Sequence, residues 1–212
     1  MNRLRHAAVL AALVLGLAAT GAARAEDDPH AGHHELSGDA PAANRSLYQI
    51  PVQWTDQNGQ PFELASLRGH PVVLVLFYGT CQSVCPSIVR DVKKIESLLP
   101  AAQRAETRFV LVTIDPSVDT PERLLLYANE KGLDLARWRL LNGGADGVRV
   151  LANVLGIKYR PTGTGQYSHT IRITVLDRDG VVVDHADGLT RPVEPIAARV
   201  SALFAGVAKP AD

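Results

Sequence analysis

VVLVLFYGTCQSVCP occupies residues 72–86 and joins a long apolar run to a pair of cysteines. Its apolar half, residues 72–78, is typical of a central strand that is covered on both faces. The two cysteines of the chain, Cys81 and Cys85, follow directly at the start of a predicted helix. A helix N-terminus favours a thiolate over a thiol, so this junction is a candidate chemical site. A thiolate pair there can form a disulfide, transfer electrons or bind a soft metal.

The segments around this junction alternate between strand and helix patterns. An N-terminal hairpin is predicted around the turn Asn58-Gly59, and a second hairpin around Asp179-Gly180. Strands are predicted at residues 47–54, 62–64, 71–78, 107–114, 138–141, 170–176 and 181–184, and helices at 86–99, 120–131, 145–155 and 193–204. This order predicts an α/β, thioredoxin-like fold with an N-terminal β-hairpin extension and an insertion, residues 115–165, before the C-terminal β-hairpin.

Residues 1–25 have the three parts of a secretory signal peptide. Arg3 and Arg5 precede an apolar stretch, and Ala23-Arg24-Ala25 supplies small residues at the cleavage positions. Cleavage before Glu26 would release the protein into the periplasm. The alternative is a segment that stays uncleaved and anchors the protein to the inner membrane, because the apolar stretch is just long enough to span it.

The rest of the chain divides into a tail, a domain and a short end. Residues 26–46 have almost no large apolar side chains and are predicted to be a disordered tail. Residues 47–205 form a single thioredoxin-like domain, and residues 206–212 form a C-terminal tail. The first tail contains His30, His33 and His34 beside several carboxylates, which either capture copper weakly or are simply solvated.

The charge balance excludes one class of partner. The full chain carries 22 Lys and Arg against 22 Asp and Glu. Loss of the three arginines in residues 1–25 leaves a net charge near −3 on the mature protein. That balance provides no electrostatic footprint for nucleic acid, so no nucleic-acid partner is expected.

The spacing of Cys81 and Cys85 places them one helical turn apart, on the same helix face. A permanent disulfide across so short a loop would add little stability, although an oxidising compartment would form it readily. Two thiolates are too few for a closed zinc site. Two thiolates with one imidazole suit copper instead, because soft sulfur selects Cu(I) and a histidine allows Cu(II) to bind as well.

His169 is the candidate third ligand. It immediately precedes the first strand of the C-terminal hairpin, and in a thioredoxin-like fold this loop faces the cysteine-bearing helix start. Redox thioredoxins have a cis-proline at this point, whereas the nearest preceding proline here is Pro161. Asp115 and Asp119 follow another predicted strand. They either approach the segment that carries the two cysteines, or form a turn and cap the next helix, and we expect the second role.

Several motifs together resemble the Sco/SenC family of copper-binding, thioredoxin-like assembly factors for cytochrome c oxidase. They are Cys81-Gln82-Ser83-Val84-Cys85-Pro86, Thr113-Ile114-Asp115-Pro116, Asp119-Thr120-Pro121 and His169. The resemblance covers roughly residues 47–205. It implies that Cys81, Cys85 and His169 bind copper, as Cu(I), Cu(II) or both. Many family members have Asp before this histidine, where this chain has Ser168, so the backbone or a water must orient the imidazole.

The same resemblance implies partners and a function. The expected activity is that of a copper chaperone for the dinuclear copper centre of oxidase subunit II, with another periplasmic copper chaperone and a thiol reductant as further partners. The alternative is a periplasmic thiol–disulfide oxidoreductase that uses Cys81 and Cys85 as its redox pair. A peroxiredoxin is not expected, because it needs Thr or Ser three residues before its reactive cysteine, where this chain has Tyr78 or Gln82.

Overall fold

The computed structural model describes residues 46–81, 84–163, 165–189 and 192–205. The predicted signal peptide, the predicted tail as far as residue 45, with His30, His33 and His34, and residues 206–212 lie outside the described residues. In the part of the chain that is described, no helix has the length and apolar character needed to cross a bilayer.

Nine strands and five helices are found in the described residues. The strands are β1 Trp54–Asp56, β2 Pro61–Phe62, β3 Val72–Phe77, β4 Arg108–Thr113, β5 Trp138–Asn142, β6 Tyr159–Pro161, β7 Tyr167–His169, β8 Arg172–Leu176 and β9 Val182–Asp187. The helices are α1 Cys85–Leu98, α2 Ala101–Glu106, α3 Pro121–Glu130, α4 Gly144–Val154 and α5 Glu194–Ala202.

Strand β3 lies inside a seven-stranded sheet with the order β2-β1-β5-β4-β3-β8-β9. All six of its residues are buried, as the unbroken apolar run predicts. It pairs in parallel with β4 and antiparallel with β8, so one sheet contains both the crossover and the hairpin of the predicted topology. The predicted α/β, thioredoxin-like fold is therefore confirmed.

Helices α1 and α3, which follow β3 and β4, begin where the sequence predicts them. Helix α1 has Pro86 in its first turn and buries a stripe that includes Ile88, Val92 and Ile95. Helix α3 begins after Thr120, whose side chain accepts a hydrogen bond from the Arg123 N–H at 3.5 Å. These local signals fix the helix starts that follow β3 and β4.

The predicted strand at residues 47–54 is wrong over most of its length. Leu47–Gln49 form a 3-10 turn instead, and the strand is limited to β1. The Leu47 N–H donates to the Gly180 carbonyl, so the backbone here is satisfied by the β8–β9 turn and needs no strand partner. The N-terminal hairpin itself is confirmed, with Trp54 opposite Phe62.

The predicted insertion, residues 115–165, is part of the central sheet, because it contains β5, which lies between β1 and β4. Three elements of the structure were not predicted. Helix α2 buries none of its residues, so no apolar stripe marks it in the sequence. Among the described strands, β6 and β7 pair only with each other, as a separate two-stranded sheet.

Candidate metal centre

Cys81 and Cys85 lie at the junction between β3 and α1. Cys81 belongs to the connecting loop, and Cys85 is the first residue of the helix. The Cys85 N–H donates a hydrogen bond to the Cys81 sulfur at 3.3 Å. Both thiols are reduced and both residues are buried, with 6% and 0% of their surfaces exposed. The two sulfurs are therefore adjacent, and Cys81 is the one closer to solvent.

Burial controls the protonation of Cys85. Desolvation raises the pKa of this thiol far above its ordinary value, and the backbone hydrogen bond with Tyr78 opposes the rise only in part. The helix N-terminus was predicted to favour the thiolate, but burial raises the pKa of Cys85 and so favours the thiol. A positive ion that replaces the proton would remove this penalty.

His169 is the last residue of β7, where it pairs with Tyr159, so it lies in a strand and not in an open loop. Its Nδ1 lies 3.0 Å from the Thr170 carbonyl, so a backbone group orients the imidazole ring, one of the two means expected from the absence of Asp at position 168. Its Nε2 is buried and has no hydrogen-bond partner among the described residues. Burial lowers the pKa of His169, so the ring is neutral at physiological pH. With the proton on Nδ1, Nε2 presents a lone pair suited to a metal.

Cys81 and His169 line one cavity of about 190 Å³. Its other lining residues include Tyr78, Val84 and Ile171, but Cys85 is not among them. No group of three or more His, Cys, Asp or Glu side chains in the described residues is arranged to hold a metal ion. The structure thus brings two of the three predicted ligands to a common cavity and keeps the third in the core.

Tyr78 is a residue of this site that the sequence did not reveal as functional. It is buried, and its ring meets that of His169 edge to face at 6.1 Å between centroids. Burial and a hydrogen bond with Cys81 raise the pKa of Tyr78 to about 12. The one feature of the sequence that could have indicated a role for Tyr78 is its hydroxyl, which follows directly on the apolar side chains of residues 72–77.

Asp119 connects two loops. One is the loop between β3 and α1, which carries Cys81 and is called the cysteine loop below, and the other is the loop after β4. The Asp119 Oδ2 accepts hydrogen bonds from the Gly79 N–H, at 2.9 Å, and from the Thr113 hydroxyl. A side chain at position 79 would place Cβ 2.7 Å from the Asp119 Oδ1, so glycine is required there. The turn at residues 115–119 forms and Thr120 caps α3, but the Asp119 carboxylate does not cap that helix. The other carboxylate, Asp115, lies within 3.2 Å of the Tyr167 hydroxyl.

Replacement of Asp119 by Asn is expected to remove one source of pH dependence. Burial raises the pKa of Asp119 above its ordinary value of 3.8, so the folded chain binds this proton more tightly than the unfolded chain does. The contribution of this carboxyl to the free energy of unfolding is therefore full below the ordinary pKa. It is lost as the pH rises through the raised pKa.

Urea unfolding of both proteins from about pH 3 to about pH 8 measures this effect. The free energy of unfolding of the wild type, minus that of Asp119→Asn, should fall as the pH rises through this window. A difference that rises with pH would mean that the Asp119 pKa is lowered in the folded state, and would contradict the prediction.

The chain is similar to known proteins over most of its length. The family model described as SCO1/SenC matches residues 40–205. A protein of Stutzerimonas stutzeri with the provisional name of a copper-binding protein is 28% identical over 166 residues, which cover 72% of this chain and 77% of that protein.

Solved structures agree in fold. The copper-bound structure of ScoI from Bradyrhizobium japonicum has a TM-score of 0.57 and 26% identity, and the match covers 72% of this chain and 96% of that one. BsSco, described as a member of the Sco family of cytochrome c oxidase assembly proteins, has a TM-score of 0.65 at 22% identity, covering 76% of this chain and 95% of that one. Since the family model spans more than half of the sequence, this chain belongs to the SCO1/SenC family.

Proposed function

We propose that this protein is an exported copper chaperone. It binds one copper ion through the thiolates of Cys81 and Cys85 and the imidazole of His169, and it delivers the ion to the dinuclear copper centre of cytochrome c oxidase subunit II. The observation that carries the proposal is the buried Nε2 of His169, which has no hydrogen-bond partner in the described part of the chain, on a residue that shares a cavity with Cys81.

The donor set fits copper. Thiolates are soft ligands that select Cu(I), and the neutral imidazole adds affinity for Cu(II). The Nδ1 of His169 is hydrogen-bonded to the Thr170 carbonyl, so Nε2 is the nitrogen that can bind the metal. Exchange of the Cys85 proton for a copper ion is favourable, because burial raises the pKa of this thiol and opposes an unpaired thiolate.

Copper binding requires the cysteine loop to move. Cys85 is fully buried and does not line the cavity that Cys81 and His169 share. Three ligands can meet one ion only when the Cys85 sulfur turns toward that cavity. A site that is completed by a local movement suits a protein that must release its ion to an incoming set of ligands.

The related proteins support the destination of the copper. The structure of ScoI has copper bound, and BsSco belongs to a family of cytochrome c oxidase assembly proteins. Delivery in the periplasm, by a released or membrane-anchored chain, agrees with the signal-like residues 1–25. A second periplasmic copper chaperone would supply the ion, and a thiol reductant would keep the two cysteines ready to receive it.

Copper titration of the reduced protein tests the proposal. We expect one equivalent of Cu(I) or of Cu(II) to bind, with sulfur-to-copper charge-transfer absorption for Cu(II). His169→Ala should lose this absorption and bind Cu(II) at least about tenfold more weakly, because a ligand is missing. Transfer is then measured by mixing the loaded protein with the soluble domain of oxidase subunit II.

His185→Ala provides the matched control. His185 is an exposed histidine on β9, so its loss should leave the copper spectrum and affinity unchanged. If His169→Ala binds Cu(II) with the same affinity and spectrum as the wild type, the three-ligand site is wrong.

A thiol–disulfide reductase is the second candidate function. The contact between the Cys85 N–H and the Cys81 sulfur favours it, because the two thiols are adjacent and Cys81 is the more accessible. In this reaction the cysteine pair is oxidised to a disulfide while a disulfide of the target is reduced to two thiols. Such a protein would exchange rapidly with protein disulfides, at a rate that His169→Ala does not change.

A further inference from the structure

The hydroxyl of Tyr78 forms hydrogen bonds at the start of β7, the strand that carries His169. It donates a hydrogen bond to the Gln166 Oε1 at 3.0 Å and accepts one from the Tyr167 N–H at 3.3 Å. Tyr167 is the first residue of β7 and His169 is the last. A side chain from the end of β3 therefore holds the start of the strand on which the imidazole is mounted.

These hydrogen bonds matter because, in the part of the chain that the structure describes, β6 and β7 pair only with each other. An isolated two-stranded sheet of three-residue strands is marginally stable in water. Contacts with the main domain must therefore fix its position. The Tyr78 hydroxyl supplies a polar contact of this kind, and it links residues 88 positions apart in the sequence.

The same tyrosine also contacts the cysteine loop. The Cys81 N–H donates to the Tyr78 carbonyl at 3.3 Å, and the Cys81 thiol lies within hydrogen-bonding reach of the Tyr78 hydroxyl. Tyr78, Cys81 and His169 line one cavity. One residue thus contacts the loop with the first sulfur and the strand with the imidazole.

We propose that Tyr78 is a positioning residue of the copper site, whose hydroxyl ties β7 to the cysteine loop and so holds His169 opposite Cys81 when copper binds. This role rests on the proposed function. It concerns Cu(II) above all, because the imidazole contributes more to Cu(II) than to Cu(I), which the two thiolates hold. Tyr78 itself is not a ligand.

Replacement of Tyr78 by Phe tests the role, since it removes the hydroxyl and keeps the ring. We expect Cu(II) to dissociate about tenfold faster from Tyr78→Phe, the effect of one lost buried hydrogen bond, and the charge-transfer band to shift. The Cu(I) affinity should change by less than about threefold. Gln166→Ala, which removes the acceptor of the hydroxyl proton, should change Cu(II) dissociation in the same direction.

Tyr127→Phe is the matched control. Tyr127 is a second buried tyrosine, packed on Phe77, and its hydroxyl has no hydrogen-bond partner among the described residues. Loss of that hydroxyl should leave the Cu(II) spectrum and the rate of dissociation as in the wild type.

A double-mutant comparison separates positioning from general stability. If Tyr78 acts through His169, then Tyr78→Phe has no further effect on Cu(II) in a His169→Ala background. Equal effects in both backgrounds, or a Tyr78→Phe protein with the wild-type spectrum and dissociation rate, would overturn the positioning role alone. A wild-type protein without Cu(II) charge-transfer absorption would instead overturn the proposed function, and this role with it.

Discussion

Replacing Cys85 with serine is expected to lower the Cu(I) affinity of the protein by more than about 100-fold. Loss of a group that merely orients a ligand costs roughly 10- to 100-fold in metal affinity, and loss of a thiolate ligand must exceed that. A serine hydroxyl is a hard, weak donor that does not replace soft sulfur. Competition with a chromophoric Cu(I) chelator measures the change.

The control must keep both sulfurs and alter the same helix turn. Ser87→Ala meets this requirement, because Ser87 lies two residues beyond Cys85 and its hydroxyl accepts a hydrogen bond from the exposed Arg90 side chain at 3.2 Å. Its Cu(I) affinity should equal that of the wild type. If folded Cys85→Ser also retains wild-type affinity, Cys85 is not a ligand, and Cys81 must bind copper with a different partner.

Gly143→Ala is expected to destabilise the fold strongly. A Cβ at this position would lie 2.3 Å from Cζ3 of Trp54, whose side chain is fully buried. The ring has little room to move aside, because it is fully buried in the hydrophobic core. Overpacking of this severity costs about 3 kcal/mol, which corresponds to a fall of about 6–12 °C in Tm for a domain of this size. Thermal and urea unfolding measure the loss.

The neighbouring glycine supplies the comparison. Gly144 has a φ of 62°, and a Cβ at this position would have no atom within 4 Å, so Gly144→Ala tests backbone strain without crowding. It should cost only about 1 kcal/mol. Equal losses for the two substitutions would show that Trp54 is not crowded, and that the N-terminal hairpin packs differently from the structure.

Much of the fold could be predicted because its signals are local. The apolar run of residues 72–78 became β3, and Thr120 with Pro121 began α3 where expected. Cys81 and Cys85 were placed correctly at the junction of a buried strand and a helix. Local patterns failed where the backbone found distant partners: Leu47 bonds to the turn at Gly180, so the apolar alternation after it did not produce a long strand.

The candidate site was predictable only in part. Residue types and spacing pointed to Cys81, Cys85 and His169, and these remain the proposed ligands. No local pattern indicated that Cys85 would be buried away from the cavity that the other two share. The position at a helix start also favoured a thiolate, whereas the depth of burial, which depends on the whole core, raises the pKa of that thiol.

The central strand, the helix starts after β3 and β4, the cysteine pair and the family could all be predicted from the sequence alone. The side chains that surround the cysteine pair could not, because the folded chain brings them there from distant positions. The Gly79 N–H meets the Asp119 carboxylate 40 residues away, and the Tyr78 hydroxyl meets Gln166. Strand and helix starts depend on neighbouring residues, whereas these contacts depend on how the finished sheet brings distant loops to one edge.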